Sequence, residues 1–363
     1  MSEKPLNVAI AGLGVMGMVA VRAFNRSPKY RVIAVADQSP AALERALIDV
    51  PNAIQLSSAD DLVTSKNLDR YDIDLVAVLT QPNSHARLAI QALQAKRHVF
   101  CEKPLALNSL EAQRMVLEAD IARTSSVFSV VGHQLRYNGA RRWIKEQISA
   151  GAIGKPQHIQ IIANFPKLYS TEFTWWSSHD LGGGLLYEYG SHMIDLLEWW
   201  FGPAFQATGE IRTVVKSRVD NQGIIRPVDS DDLSSFRLLW VSGFFADVLL
   251  SGVASNDRRD VIIHGDEATL ILDSNDTIRR FTRGNTNPET IDMREQEPSL
   301  IDDPNDSYTQ PHARLLEDFA IHISEKTQPI HATTFRDGER IIRHLDSIRA
   351  SSTPGTSTEE CPQ

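Results

Sequence analysis

Cysteine is almost missing from this chain: its 363 residues include two, Cys101 and Cys361. That count excludes a disulfide framework and a thiolate metal cluster. Aromatic residues are sparse, at 7%. Positive charge is in deficit, with 37 Lys and Arg against 46 Asp and Glu and a formal net charge of -9. Such a balance argues against a nucleic-acid backbone or an anionic membrane as partner. Long hydrophobic runs are lacking as well. The uncharged stretch from Val8 to Val21 is short for a membrane span and is broken by Gly12, Gly14 and Gly17. No signal-peptide pattern is visible, so the cytoplasm is the expected location. The remainder is ordinary globular composition, 42% hydrophobic and 23% charged, with length for about two domains.

The most informative segment is Gly12-Leu13-Gly14-Val15-Met16-Gly17. Asn7 to Ala11 before it reads as a buried strand, and Met18 to Phe24 after it can be helical. Arg31 to Ala36 forms a second apolar run that ends at Asp37. Strand, glycine turn, helix, strand and acid make up the dinucleotide-binding fingerprint in its required context. Gly12 permits the tight turn, Gly14 lets backbone approach a diphosphate, and Gly17 lets the helix pack on the strand. Helix N–H groups and the helix dipole attract the phosphates. A carboxylate at Asp37 suits the ribose hydroxyls and repels a 2′-phosphate, and Gln38 brings no compensating charge. NAD is therefore expected in preference to NADP.

Strands and helices alternate through the first third of the chain. Leu75 to Leu79, His98 to Cys101 and Val127 to Val131 read as strands, with helices over Asn83 to Ala95 and from a cap at Ser109 to about Arg123. This predicts a doubly wound parallel sheet, a Rossmann domain over residues 1–132. After a helix over Ala140 to Ala150, the strands come as neighbours: Ile159 to Phe165, Gly209 to Val215, Leu233 to Trp240, Phe244 to Leu250, Val261 to His264 and Thr269 to Leu272. An α+β domain with a large, mostly antiparallel open sheet is expected over 133–350. Gly284 to Gln310 reads as a polar surface excursion, His312 to Ser324 and Thr334 to Arg349 as helices, and 351–363 as a disordered tail.

Three further groups can carry chemistry. Thr80-Gln81-Pro82-Asn83-Ser84-His85 follows a parallel strand, where ligands of such sheets bind. Glu102-Lys103-Pro104 follows the next one; Lys103 there is either a site lysine or an ordinary solvated one. Gly182-Gly183-Gly184 leads into a predicted helix on which Glu188, His192 and Asp195 fall at i, i+4 and i+7. That spacing puts all three on one helix face, as an acid–base cluster, a metal site or a structural stripe. Trp175 and Trp176 precede the glycines and suit either packing or the face of a sugar ring.

These motifs, in this order, resemble the glucose–fructose oxidoreductase / inositol dehydrogenase (Gfo/Idh/MocA) family. Arg136-Tyr137 and Gly151-Ala152-Ile153-Gly154 extend the similarity, which covers nearly everything but the tail. The resemblance implies an NAD-dependent oxidoreductase that moves a hydride between nicotinamide and a hydroxyl or keto carbon of a sugar, inositol or related polyol. It implies catalytic roles for Lys103, His192 and Glu188, the last replacing the family's usual aspartate. Cofactor contacts are implied from Gly12 to Gly17, at Asp37 and Gln38, at Thr80, Pro82, Asn83 and His85, and at Glu102 and Lys103. Substrate contacts fall on Lys103, Arg136, Trp176, Asp195, His192 and Tyr308. A cis Lys103–Pro104 peptide and no metal are expected, together with a homodimer or homotetramer. The family also contains non-catalytic NAD-binding regulators and NAD-recycling glycoside hydrolases or lyases, which stand as the alternative functions.

Overall fold

The computed structural model describes residues 4–285, 287–293, 309–327 and 331–352. The chain packs as two units. The first contains six parallel strands: β1 (Leu6–Ala11), β2 (Tyr30–Ala36), β3 (Ile54–Leu56), β4 (Leu75–Val78), β5 (His98–Cys101) and β6 (Ser129–Val131). Their order is β3-β2-β1-β4-β5-β6, the doubly wound arrangement predicted from the alternation. Every residue of β4 is buried, because helices cover both sheet faces and leave no polar side for the sequence to mark. The main crossover helices are α1 (Val15–Arg26), α2 (Pro40–Asp49), α5 (Pro82–Gln94) and α6 (Ser109–Arg123), with short α3 (Ala59–Leu62) and α4 (Ser65–Arg70) between. The cap of α6 is Asn108 rather than Ser109: its side chain accepts from Glu111 N–H at 3.0 Å, and Ser109 is the first helical residue.

The second unit holds α7 (Gly139–Ser149), β7 (Pro156–Asn164), α8 (Ser191–Phe201), β8 (Gln206–Arg212), the hairpin β9 (Ser217–Val219) and β10 (Ile225–Pro227), then β11 (Leu233–Leu239), β12 (Phe245–Ser251), β13 (Arg258–Gly265), β14 (Ala268–Leu272), β15 (Thr277–Thr282) and β16 (Glu289–Asp292). Eight strands form one sheet in the order β16-β15-β14-β13-β7-β12-β11-β8. All pairs are antiparallel except β12 with β7. Burial alternates along β11 and β12, so one face is packed and the other is open. Gly190, at the entry to α8, sits over Leu250 and Phe236 of the packed face.

Three boundaries differ from the sequence expectation. Residues 133–138 belong with the first unit, as do α9 (Thr309–Glu325) and the start of α10 (Phe335–Ser351). The cause is burial: Leu315, Leu316 and Phe319 of α9 join the core built by Val8, Phe24 and Tyr30, and Tyr30 Oη donates to Leu316 O at 2.6 Å. The excursion after Gly284 contains an edge strand, β16, whose polar residues gave no apolar alternation to read. The expected tail begins late, because Ser351 completes α10 and the Ser351 and Ser352 hydroxyls accept from Gly209 and Ile211 N–H on edge strand β8.

Phe24 links α1 to the sheet, edge-on to Tyr30 at 4.9 Å and to Phe100 at 6.3 Å between ring centres. Phe24→Ala is expected to destabilise the first unit by about 3–5 kcal/mol. Urea unfolding followed by circular dichroism would measure it.

Candidate active site

The glycine turn is shaped by close contact. Gly12 has φ +95°, and a Cβ there would overlap the Leu79 carbonyl. A Cβ on Gly17 would overlap the Gly12 carbonyl, so α1 can lie against β1 only without one. Gly14 differs, since nothing lies within 4 Å of where its Cβ would be. That open side adjoins the first N–H groups of α1, which have no intrahelical acceptors. Val15 is exposed and Met16 half-buried. Asp37 is tied to the same turn: Leu13 N–H donates to Oδ2 at 2.7 Å and Ser39 N–H to Oδ1 at 2.8 Å. Gln38 is exposed beside it. An open glycine, free helix N–H groups and an oriented carboxylate are the parts an adenosine diphosphate moiety requires.

The second group surrounds the end of β4. Thr80 Oγ1 and Ser84 Oγ share a hydrogen bond of 2.6 Å, Pro82 is buried and Asn83 is exposed. His85 is fully buried, with Nδ1 at 2.9 Å from the Pro104 carbonyl and Nε2 at 3.0 Å from the Thr80 carbonyl. It thereby joins the Thr80 turn to the Lys103–Pro104 segment, whose peptide bond is cis as expected. This placement makes His85 a structural tie.

Glu102 points inward. Its Oε2 accepts from Lys103 N–H at 2.8 Å and its Oε1 faces His312 Nε2 at 3.1 Å, and both side chains are buried. Burial alone would raise the carboxyl pKa. The hydrogen bond from His312, the charges of His312 and Lys103, and the Lys103 N–H outweigh it and hold the group below its ordinary value. Gly132 leaves the space Glu102 fills, since a Cβ there would crowd Oε1. Sequence reasoning missed His312 altogether, because its partner lies 210 positions away. Cys101 is fully buried, and burial, with help from the Glu102 charge, pushes its thiol well up.

In the second unit, the glycine run is dictated by what passes it. A Cβ on Gly183 would overlap the Trp176 carbonyl. Gly184 has φ +106° and would overlap Asp231 Oδ1. Asp231 is buried and anchors the following turn, accepting from Leu186 N–H at 2.8 Å and Ser234 Oγ–H at 2.5 Å. Burial raises its carboxyl pKa despite those bonds. Asp231 too escaped the sequence reading.

Residues Leu186–Gly190 form a π-helical turn before α8 begins. The helix that carries the three side chains is therefore not uniformly wound. His192 and Asp195 lie three apart within α8 and are both buried, but Glu188 belongs to the wider π turn and is half-buried. The i, i+4 alignment assumed 3.6 residues per turn throughout. Tyr187 fixes the π turn to α10: its hydroxyl lies 3.1 Å from Asp346, and the Arg349 guanidinium sits 4.3 Å above its ring.

The remaining expected contacts are dispersed. Arg136 is buried in the first unit, donating to the His331 carbonyl at 3.1 Å and holding the Asp337 carboxyl down by its charge. Trp176 is half-buried, in a 3₁₀ turn of the second unit. Tyr308 lies outside the described residues. Among the described residues no group of three His, Cys, Asp or Glu side chains could hold a metal, and no helix is long and apolar enough to cross a membrane.

Comparison with known proteins agrees with this architecture. Residues 6–133 match the oxidoreductase family with an NAD-binding Rossmann fold, and residues 142–271 match the GFO/IDH/MocA C-terminal domain. The chain belongs to the Gfo/Idh/MocA family and is an NAD-binding oxidoreductase. An uncharacterized oxidoreductase of Synechocystis is 24% identical over 347 residues, 91% of this chain and 90% of that one. The myo-inositol 2-dehydrogenase of Thermotoga maritima is 24% identical over 54% of this chain and 55% of its own. A levoglucosan dehydrogenase solved with NADH and levoglucosan superposes with a TM-score of 0.84 over 96% of this chain and 97% of that one, at 21% identity. A likeness at that identity establishes the fold.

The Glu102 carboxylate, with its lowered pKa, stabilises the first unit fully above its ordinary value of 4.5, and that contribution is lost as pH falls through the depressed folded value. Glu102→Gln is expected to cost about 3 kcal/mol at pH 7. The deficit against wild type should shrink as both are acidified. Denaturation at a series of pH values checks both the size and the sign.

Proposed function

We propose that this chain is an NAD-dependent dehydrogenase of a sugar, inositol or related polyol. The observation that carries the proposal is Lys103, whose backbone is pinned by the buried Glu102–His312 pair in a chain of this oxidoreductase family. The glycine turn and Asp37 would hold NAD, which when bound would supply the hydride acceptor for the carbon that bears the substrate hydroxyl. The chain itself handles charge and protons. His192 takes the hydroxyl proton in oxidation and returns it in reduction, a task suited to an imidazole with an unperturbed pKa of ~6.5. The Lys103 ammonium stabilises the developing alkoxide. Glu188 assists His192 from the π turn, and Asp195 and Trp176 serve the substrate. Arg136 is a further candidate for the substrate, its guanidinium held by the His331 carbonyl. The substrate class is supported by the two dehydrogenases named above, one for an inositol and one for an anhydrosugar. Cytoplasmic residence stays the expectation from the sequence.

The open face of the large sheet carries half-buried Phe245 and Ile262 and exposed Leu249. A second copy would cover it, which supports a homodimer or homotetramer. Light scattering should return a multiple of the chain mass, and a monomer would refute this.

A panel of sugars, anhydrosugars and inositols should yield NADH from NAD in step with oxidised product. Product without NADH would mark an NAD-recycling hydrolase or lyase, and NADH binding with no turnover on any member would mark a regulator. On the best substrate, His192→Ala should lower kcat by ~100- to 10,000-fold. NADH binding should stay unchanged, because the glycine turn and Asp37 are untouched. Activity within tenfold of wild type would remove His192 from its role.

A further inference from the structure

Asp37 disfavours a 2′-phosphate, and Gln38 beside it brings no positive charge. The fold supplies one from elsewhere. Arg45, on the second turn of α2, reaches back to the glycine turn and places Nη2 3.5 Å from the Leu13 carbonyl. Leu13 is the residue whose N–H donates to Asp37 at 2.7 Å. One peptide segment therefore has a carboxylate on its N–H side and a guanidinium on its carbonyl side. Arg45 is exposed, and among the described residues no carboxylate pairs with it. The long contact to Leu13 is too weak to occupy a guanidinium that has five N–H donors. Both groups are tied to Leu13, the neighbour of the open Gly14 where a dinucleotide would lie.

Resting on the NAD-binding assignment, we propose that Arg45 is a latent 2′-phosphate site, and that the charge of Asp37 alone keeps it from being used. With Asp37 ionised, the ribose hydroxyls of NADH are accepted and a 2′-phosphate meets a carboxylate at the same place. Without that charge, a planar guanidinium beside the ribose is suited to hold the phosphate in charge-assisted hydrogen bonds. The same chemistry could instead serve the diphosphate common to both cofactors. Binding measurements separate the two, because only NADPH carries the 2′-phosphate.

The test is fluorescence titration with NADH and NADPH of wild type, Arg45→Gln, Asp37→Asn and the double variant. Asparagine keeps an acceptor for Leu13 N–H, and Arg45→Gln changes an exposed side chain, so the fold should survive in both; circular dichroism verifies that. Wild type should prefer NADH. Asp37→Asn should bind NADPH roughly tenfold more tightly than wild type does, and the double variant should lose that gain. Arg45→Gln alone should leave both NADH and NADPH within about twofold of wild type, because the site is unused while Asp37 is ionised. Equal weakening of both cofactors would put Arg45 on the diphosphate and overturn the proposal. So would an NADPH affinity indifferent to Arg45 in both backgrounds. Failure of wild type to bind either cofactor would instead strike the NAD-binding assignment itself.

Discussion

The first unit depends on how closely α1 approaches β1. Gly17 faces the Gly12 carbonyl with no room for a single carbon between them. That contact sets where α1 begins, and so where its unpartnered N–H groups point. It also sets the position of Leu13, whose N–H holds the Asp37 carboxylate at the end of β2. A side chain at Gly17 would therefore do more than open a gap. It would separate the helix terminus from the acid, the two features that must act on one ligand. The constraint is steric, and a flexible side chain cannot relieve it, because the atom in the way is backbone.

Buried carboxylates repeat the principle with polar chemistry. Glu102 holds Lys103 N–H and His312, Asp231 holds Leu186 N–H and Ser234, and Glu198 holds Ala204 N–H at 3.0 Å and His344 at 3.0 Å. Each acid ties a backbone donor in a turn to a side chain on another element. An unpaired buried carboxylate is costly, so each arrangement favours one conformation of its turn. Two of these turns carry candidate catalytic groups: Lys103 on one, Glu188 on the other. The acids at 102 and 231 are positioning residues, and their own oxygens are spent inside the fold.

What could be read from the sequence was local. The glycine fingerprint, the Thr80 and Glu102 segments and the apolar strands of both sheets follow from neighbours within a few positions, while the short or polar strands β3, β15 and β16 gave no such signal. His312, Asp231 and Arg45 were not legible, for one physical reason: their importance lies in pairing across long stretches of chain. Nothing around His312 marks it as the partner of Glu102. Nothing near Arg45 marks the face of α2 that turns toward Leu13. The placement of α9 in the first unit is the same kind of fact, since an amphipathic helix announces that it will be covered and not by what.

The π turn is a different kind of omission, because the spacing was read with uniform α-helical winding. Glu188 and His192 are four apart, which in an α-helix stacks one above the other. A π turn closes its hydrogen bonds over five residues, so its winding is looser than that spacing assumes. The cause lies outside the helix. Asp231 takes Leu186 N–H at one end, Tyr187 is held by Asp346 and Arg349, and Gly190 is pressed onto Leu250 and Phe236. Ordinary winding would have to satisfy all of these anchors at once with a narrower turn. The chain keeps the anchors and widens the turn instead. Glu188 also carries one methylene more than an aspartate would. Its carboxylate is therefore placed by two departures from the simple helix, one in the backbone and one in the side chain. The reach of Glu188 therefore depends on the π winding as well as on its spacing to His192.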